Sequence, residues 1–230
     1  MKIGFGTGFL WQSNKRVSKE TIGICRDIGC NAIELHGHIE EFSLMDELRP
    51  EDLRSFSFVS YHAPKEVNER GVLDKIKSFH EKLKFDAVTL HPDVVTNWDI
   101  LKEYDLPFAI ENMDDRKERY KNVDEIKEII FKTGYKMVLD INHCYTNDST
   151  LKIADDFLRE FGDQISYFHV SGYENKNIHH PLVATKQTAI LDLVKDKNLP
   201  VIIESVCKDK EEAKKEFDFI YNYLDKYLDK

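Results

Sequence analysis

At 230 residues, with 41% hydrophobic and 33% charged side chains, the chain is long enough for one sizeable core and polar enough for an aqueous globular protein. A net charge of -9 disfavours a dedicated nucleic-acid binder, which needs clustered Lys and Arg, and no apolar run approaches the ~20 residues of a membrane span. Four cysteines (Cys25, Cys30, Cys144, Cys207) lack CxxC spacing, which argues against a zinc ribbon or a disulfide framework. The opening MKIGFGTGFL is too short in its apolar part for a signal peptide, so the expected compartment is the cytoplasm.

The first strand is Lys2 to Phe5. It runs into a glycine turn, Gly6 and Gly8, with neither dinucleotide-binding nor Walker spacing. Ser18 N-caps a helix that carries Ile22, Ile24 and Ile28 and stops near Gly29. Strand two, Ala32 to Leu35, has Glu34, His36 and His38 at its end. A weaker helical region holds Leu44, Met45 and Leu48, and Pro50 opens a short turn. Strand three, Phe56 to Tyr61, delivers His62. Val72, Leu73, Ile76, Phe79 and Leu83 share one helix face, with His80 off that stripe as a surface histidine. Strand four, Ala87 to Leu90, delivers His91, and a short helix follows from Trp98 to Tyr104.

Strand five, Pro107 to Ile110, ends on Glu111, and the charged segment MDDRKERYKN is a solvated loop. Val123, Ile126, Ile129 and Ile130 mark a helix ended by Gly134. Strand six delivers Asp140, with His143 close behind. Ile153, Phe157, Leu158 and Phe161 face one way on the next helix, and Gly162 is its C-cap signal. Strand seven delivers His169. A long loop, SGYENKNIHHPLVAT, leads to a helix through Ile190, Leu191 and Val194. Strand eight, Pro200 to Ile203, delivers Glu204, and the last helix runs from Glu211 to Leu228.

The separations from His62 to His91, from Glu111 to Asp140 and from Asp140 to His169 are each 29 residues. A strand, a loop and a helix fit that length, so one βα unit repeats. A flat doubly wound sheet gives the same alternation. The expectation is nevertheless a single (β/α)8 barrel spanning 1–230, because a barrel brings every strand end to one mouth. There His62, His91, Glu111, Asp140, His143, His169, His179, His180 and Glu204 converge. Desolvated carboxylates and neutral imidazoles need partners or a cation. Mixed His and carboxylate ligation suits Zn²⁺, Mn²⁺ or Fe²⁺. Plain hydrogen bonding covers His36 and His38, satisfied by Glu34 and the turn. It also covers His180, as the neighbour of His179, while Tyr61, Tyr167 and Phe168 read as core or rim.

At these residues the chain resembles the xylose-isomerase-like TIM-barrel superfamily, which includes sugar isomerases, epimerases and the endonuclease IV family. The resemblance implies a divalent ion held by Glu111 (in IEN), Asp140 (in LDINH), His169 (in FHVSG) and Glu204 (in IIES). Its endonuclease IV branch implies further zinc ligands at His62 (in YHAP), His91 (in LHPD), His143 (in DINH) and His179 (in NIHHPL), and so one to three ions. Two departures stand out. Asn177 replaces the Asp of that branch's DxH motif, which weakens a third site. Lys65 and Glu66 replace its aromatic-apolar wedge, and invading a stacked duplex needs an apolar insert.

The first expectation is a sugar or sugar-phosphate isomerase or epimerase. In it the ion polarises a carbonyl while Glu111 and Glu204 move a proton, with His143 as a third catalytic candidate. The alternative is a multi-zinc phosphoesterase, with DNA an unlikely partner, and after it a non-catalytic metal-dependent binding barrel. Trp11, Lys65, Arg116 and Lys186 are candidate substrate contacts on strand-end loops. Oligomeric state is open.

Overall fold

Each short apolar run becomes one parallel strand of a closed ring. The computed structural model describes residues 1–13, 16–175 and 177–227, with backbone alone for 177 and 178. The strands are β1 Ile3–Gly6, β2 Ala32–His36, β3 Phe58–His62, β4 Ala87–Leu90, β5 Phe108–Glu111, β6 Lys136–Asp140 and β7 Ile165–Val170. A hairpin of β8 Gly172–Glu174 and β9 Asn177–His180 precedes β10 Val201–Ile203. The ring runs β1, β2, β3, β4, β5, β6, β7, β10 and closes where Ile3 pairs with Val201. That closure excludes the flat sheet. The helices are α1 Lys19–Ile28, α2 Phe42–Glu47, α3 Pro50–Leu53, α4 Arg70–Leu83, α5 Trp98–Leu101 and α6 Val123–Thr133. They continue as α7 Ile141–Asn147, α8 Lys152–Phe161, α9 Leu182–Thr185, α10 Ala189–Asp192 and α11 Lys210–Asp225.

Alternation along the strands divides the apolar residues in two. Outward-facing residues such as Ile33, Val88 and Leu139 pack with the helices, including Leu73, Ile76, Phe79 and Phe157, into the main core. Inward-facing Ala32, Phe58, Ala87, Ala109, Val138, Tyr167 and Ile202 plug the barrel. Two residues further along the same seven strands, on the same inward face, stand Glu34, Ser60, Thr89, Glu111, Asp140, His169 and Glu204. The change from apolar plug to polar layer thus takes one step of the period-two repeat.

Gly4 lies on β1, where a Cβ would fall 1.7 Å from the Ala32 carbonyl oxygen of β2. No side-chain rotation relieves a clash with backbone. Gly4→Ala is therefore expected to prevent barrel closure, read as loss of the cooperative thermal transition in circular dichroism.

Several elements differ from the sequence reading. Ser18 does cap α1, accepting from Thr21 N, and Gly29 ends it with φ 109. Helix α7, just after β6, has no clean apolar periodicity. It forms because Asp140 Oδ1 accepts the His143 backbone N–H at 2.8 Å, capping the helix. The long loop after β7 contains the β8–β9 hairpin and α9. The helix expected through Val194 is the single turn α10, and α5 stops at Leu101 rather than Tyr104. Gly162 follows α8 with φ -34, not a left-handed cap, and continues into a 3₁₀ turn. The expected end of the last helix, Leu228, lies outside the described residues. All four cysteines are buried and free. Among the described residues no helix is long and apolar enough to cross a membrane.

Candidate metal centre

Glu111, at the end of β5, is 1% exposed and sits at the centre of the mouth. Its Oε2 lies 3.3 Å from His62 Nε2 and 3.0 Å from His91 Nε2. Its Oε1 lies 3.2 Å from His169 Nδ1 and 3.5 Å from His143 Nδ1. Glu204 faces it from beyond β10, with Oε1 3.6 Å from His169 Nδ1 and Oε2 3.6 Å from His179 Nδ1. Asp140 Oδ2 is 3.4 Å from His143 Nε2.

Three groups have ligand atoms within 4.8 Å of one another: Glu111, Asp140, His169 and Glu204; His62, His91 and Glu111; and Glu34, His36 and Glu204. Glu111 is shared by the first two and Glu204 by the first and third. A cation at the ~2 Å bond lengths of His and carboxylate ligands fits such spacings. Buried Glu111 Oε2, Asp140 Oδ2 and His36 Nε2 make no hydrogen bond. Orphaned lone pairs at this density match a site shaped for a cation, so the residues fit the divalent ion that the sequence resemblance implies.

The charges tell the same story. Burial pushes the Glu111 carboxyl up, but the imidazoles of His91, His169 and His62 outweigh it and hold Glu111 well below the usual range. Glu204 goes the other way: burial, reinforced by Glu111, Asp140 and Glu34 against His169, pushes it up to about 8. Asp140 is raised by burial and Glu111, against the pull of His143. Burial pulls His169 down, yet Glu204, Glu34 and Glu111 hold it well above an ordinary imidazole. His62, depressed by burial, is lifted to about 9 by Glu111, Glu34 and Glu204. His91 and His179 are lowered, chiefly by burial.

Supporting contacts fix the orientations. Asn112 Nδ2 donates to the Asp140 carbonyl at 2.9 Å, and the Asp140 N–H donates to Asn112 Oδ1 at 2.8 Å. His143 Nδ1–H donates to the Asn112 carbonyl at 2.8 Å, which turns Nε2 toward Asp140 and Asp114. His179 occupies the left-handed region at φ 64, an unfavourable backbone for a non-glycine residue, and its carbonyl is anchored by Val206 N at 2.7 Å. The side chain of Asn177 lies outside the described residues.

His36, read from the sequence as an ordinary hydrogen-bonding residue, is a wall of the mouth. Cβ atoms on Gly6 or Gly8 would come within 2.9 and 3.0 Å of its ring, so the glycine turn is a cradle for this imidazole. Its Nε2 lies 3.7 Å from Glu204 and 3.9 Å from Glu34, while burial and His62 hold its pKa down at about 3. Asn112 escaped the sequence reading, Asp114 reads as part of a solvated loop but is buried, and Glu34 enters that reading only as a partner for His36 and His38. The available signal for Glu34 was a carboxylate two residues after Ala32 on an otherwise apolar inward face.

A cavity of about 390 Å³ opens over this cluster, lined by Lys65, Arg116 and Lys117 together with Glu111, Glu204, His62, His91, His143 and His179. The Arg116 guanidinium is clamped by Asp114 (Nε to Oδ1 2.9 Å, Nη2 to Oδ2 2.8 Å) and Lys117 by Asp93. Trp11 lines a smaller side cavity of about 170 Å³. Lys186 lines neither: its ammonium stacks on the Phe219 ring at 4.8 Å, so the expectation that it faces the site is corrected.

No protein-family model and no curated protein matches the sequence. Solved structures do match in shape. A D-psicose 3-epimerase with D-tagatose from Clostridium cellulolyticum superposes with TM-score 0.66 at 12% identity, over 99% of both chains. A 3-keto-D-glucoside 4-epimerase from E. coli gives 0.67 at 11% identity, over 96% of this chain and 99% of that one. A xylose isomerase domain containing protein from Salmonella typhimurium gives 0.60 at 13% identity, over 90% and 92%. The fold is that of the xylose isomerase-like TIM barrels.

Proposed function

We propose that the chain is a divalent-metal-dependent sugar isomerase or epimerase. The observation that carries this reading is that two glutamates, Glu111 and Glu204, share one four-ligand set but have opposite proton affinities. Paired carboxylates pushed apart in this way suit acid–base work at adjacent carbons. A divalent ion in the set would supply Lewis-acid polarisation of a carbonyl, and the mixed His and carboxylate donors suit Zn²⁺ or Mn²⁺. Glu111, held ionised, removes the proton beside that carbonyl. Glu204 delivers a proton from three strands around the ring. His143, its Nδ1 locked on Asn112, offers Nε2 to a substrate hydroxyl.

The cavity has the volume of a small-molecule site. Its cations, Arg116 and Lys117, are already paired with acids, which favours a neutral sugar over a phosphosugar, leaving Lys65 as the rim contact. The names of the structural neighbours, sugar epimerases, support the same substrate class. A cytoplasmic setting agrees with four free cysteines.

One observation favours a second reading. His62, His91 and Glu111 form a second candidate group that shares Glu111 with the first, which fits a multi-ion phosphoesterase. Ion content of the purified protein decides between them, together with NMR of ketoses incubated in D₂O. A single ion with deuterium entering beside the carbonyl is the expected result. Two or three zinc ions, no exchange with any ketose and nicking of abasic duplex DNA would replace the isomerase reading with the hydrolase.

A further inference from the structure

Glu34 is a charged residue with 0% exposure, and no step above uses it. It reaches the barrel axis from β2, one layer above the apolar plug. Its Oε2 accepts from Ser60 Oγ at 3.0 Å, from Thr89 Oγ1 at 3.0 Å and from the Tyr167 hydroxyl. Those hydroxyls come from β3, β4 and β7. Three strands thus spend an inward-facing position on one oxygen of one carboxylate. The other oxygen, Oε1, lies 3.0 Å from His169 Nε2. The opposite nitrogen of that ring, Nδ1, faces Glu111 Oε1 at 3.2 Å and Glu204 Oε1 at 3.6 Å.

We propose that Glu34 is the positioning residue of the metal centre, a buried carboxylate that takes the Nε2–H of His169 and so aims Nδ1 of that ring at the ion. This rests on the metal-dependent reading above. An imidazole has one lone pair to give, and a partner on one nitrogen decides which nitrogen keeps it. With Nε2–H pointed at Glu34, the lone pair is on Nδ1, among the remaining ligands. A carboxylate behind a ligating histidine also makes the ring a stronger donor.

Glu34 also belongs to a candidate ligand group with His36 and Glu204. The distances favour the positioning role. The three hydroxyls occupy Oε2, and Oε1 is nearer to His169 Nε2 at 3.0 Å than to His36 Nε2 at 3.9 Å.

Glu34→Gln tests the proposal, with Co²⁺ titrated into metal-free protein and followed both by calorimetry and by the visible absorption of the bound ion. The expected result is binding ~10–100-fold weaker than wild type, with a shifted Co²⁺ spectrum at saturation. Wild-type affinity and spectrum in Glu34→Gln would overturn it. So would loss of one ion per chain in His36→Gln, which would make Glu34 a direct ligand. If Glu34→Gln fails to fold, the double variant Thr89→Val with Tyr167→Phe keeps the carboxylate but frees Oε2. Weaker Co²⁺ binding by that protein supports the proposal, and unchanged binding overturns it. A wild-type protein that binds no Co²⁺ defeats the metal-dependent reading itself, so the two failures are distinct.

Discussion

On the isomerase reading, Glu111→Gln should abolish turnover of the sugar substrate while leaving a folded but less stable protein. Loss of a positioned acid–base group costs about 10²–10⁴ in rate. Glutamine has the size of glutamate but cannot take a proton at neutral pH, and it is a poorer ligand for a hard divalent ion. The stability effect follows from position. Glu111 is 1% exposed, with imidazoles of four histidines within 3.5 Å of its oxygens. Removing one partner of a buried ion pair costs about 3–5 kcal/mol, and an isosteric amide recovers part of that. The sign with pH is definite. The folded-state pKa of Glu111 is depressed, so its contribution is present above the unfolded value and lost on acidification. The melting temperature of Glu111→Gln should therefore fall below wild type at neutral pH, with the gap narrowing in acid. Retention of activity within tenfold of wild type would remove Glu111 from the acid–base role.

How much of this was legible in the sequence depends on which strand is considered. Strands β4 and β5 were readable because an apolar run ends on a single polar residue, His91 or Glu111. The 29-residue spacing then gave the repeat that closes into a barrel. Helix α7 was not readable, because its cap, Asp140, had already been taken for a ligand and one side chain does both jobs. The β8–β9 hairpin was missed because GYENKNIHH carries no alternating apolar pattern to announce strands. Glu34 and His36 were missed for another reason. Locally, His36 reads as satisfied by Glu34, whereas the partners of both come from other strands: Ser60, Thr89 and Tyr167 for Glu34, Gly6 and Gly8 of the β1 turn for His36. Strand register supplies that information, since Glu34 stands opposite Ser60 and His36 opposite His62. The plug residues Ala32, Phe58, Ala87 and Ala109 predict the site directly, because adding two to each gives Glu34, Ser60, Thr89 and Glu111.

On the metal-dependent reading, the proton affinities at the mouth set how ion binding depends on pH. Among the four central candidate ligands, the surrounding imidazoles hold Glu111 ionised. Glu204 keeps its proton up to about 8, His169 is held well above the ordinary imidazole value, and Asp140 is also raised. An ion can bond to Glu204 only after displacing its proton, so binding below about pH 8 should release a proton from Glu204, with His169 adding to the release. Each released proton makes the apparent affinity rise about tenfold per pH unit, so a gain of at least about tenfold per unit is expected, with the Glu204 share flattening above about pH 8. Calorimetry in buffers of different ionisation enthalpy counts the protons directly. Glu204→Gln removes a candidate ligand and lowers affinity at every pH, but its slope is the informative quantity and should fall by about one proton per ion. A wild-type affinity that does not change with pH would mean that the ligands are already deprotonated, and that the charges of this cluster are balanced in some other way.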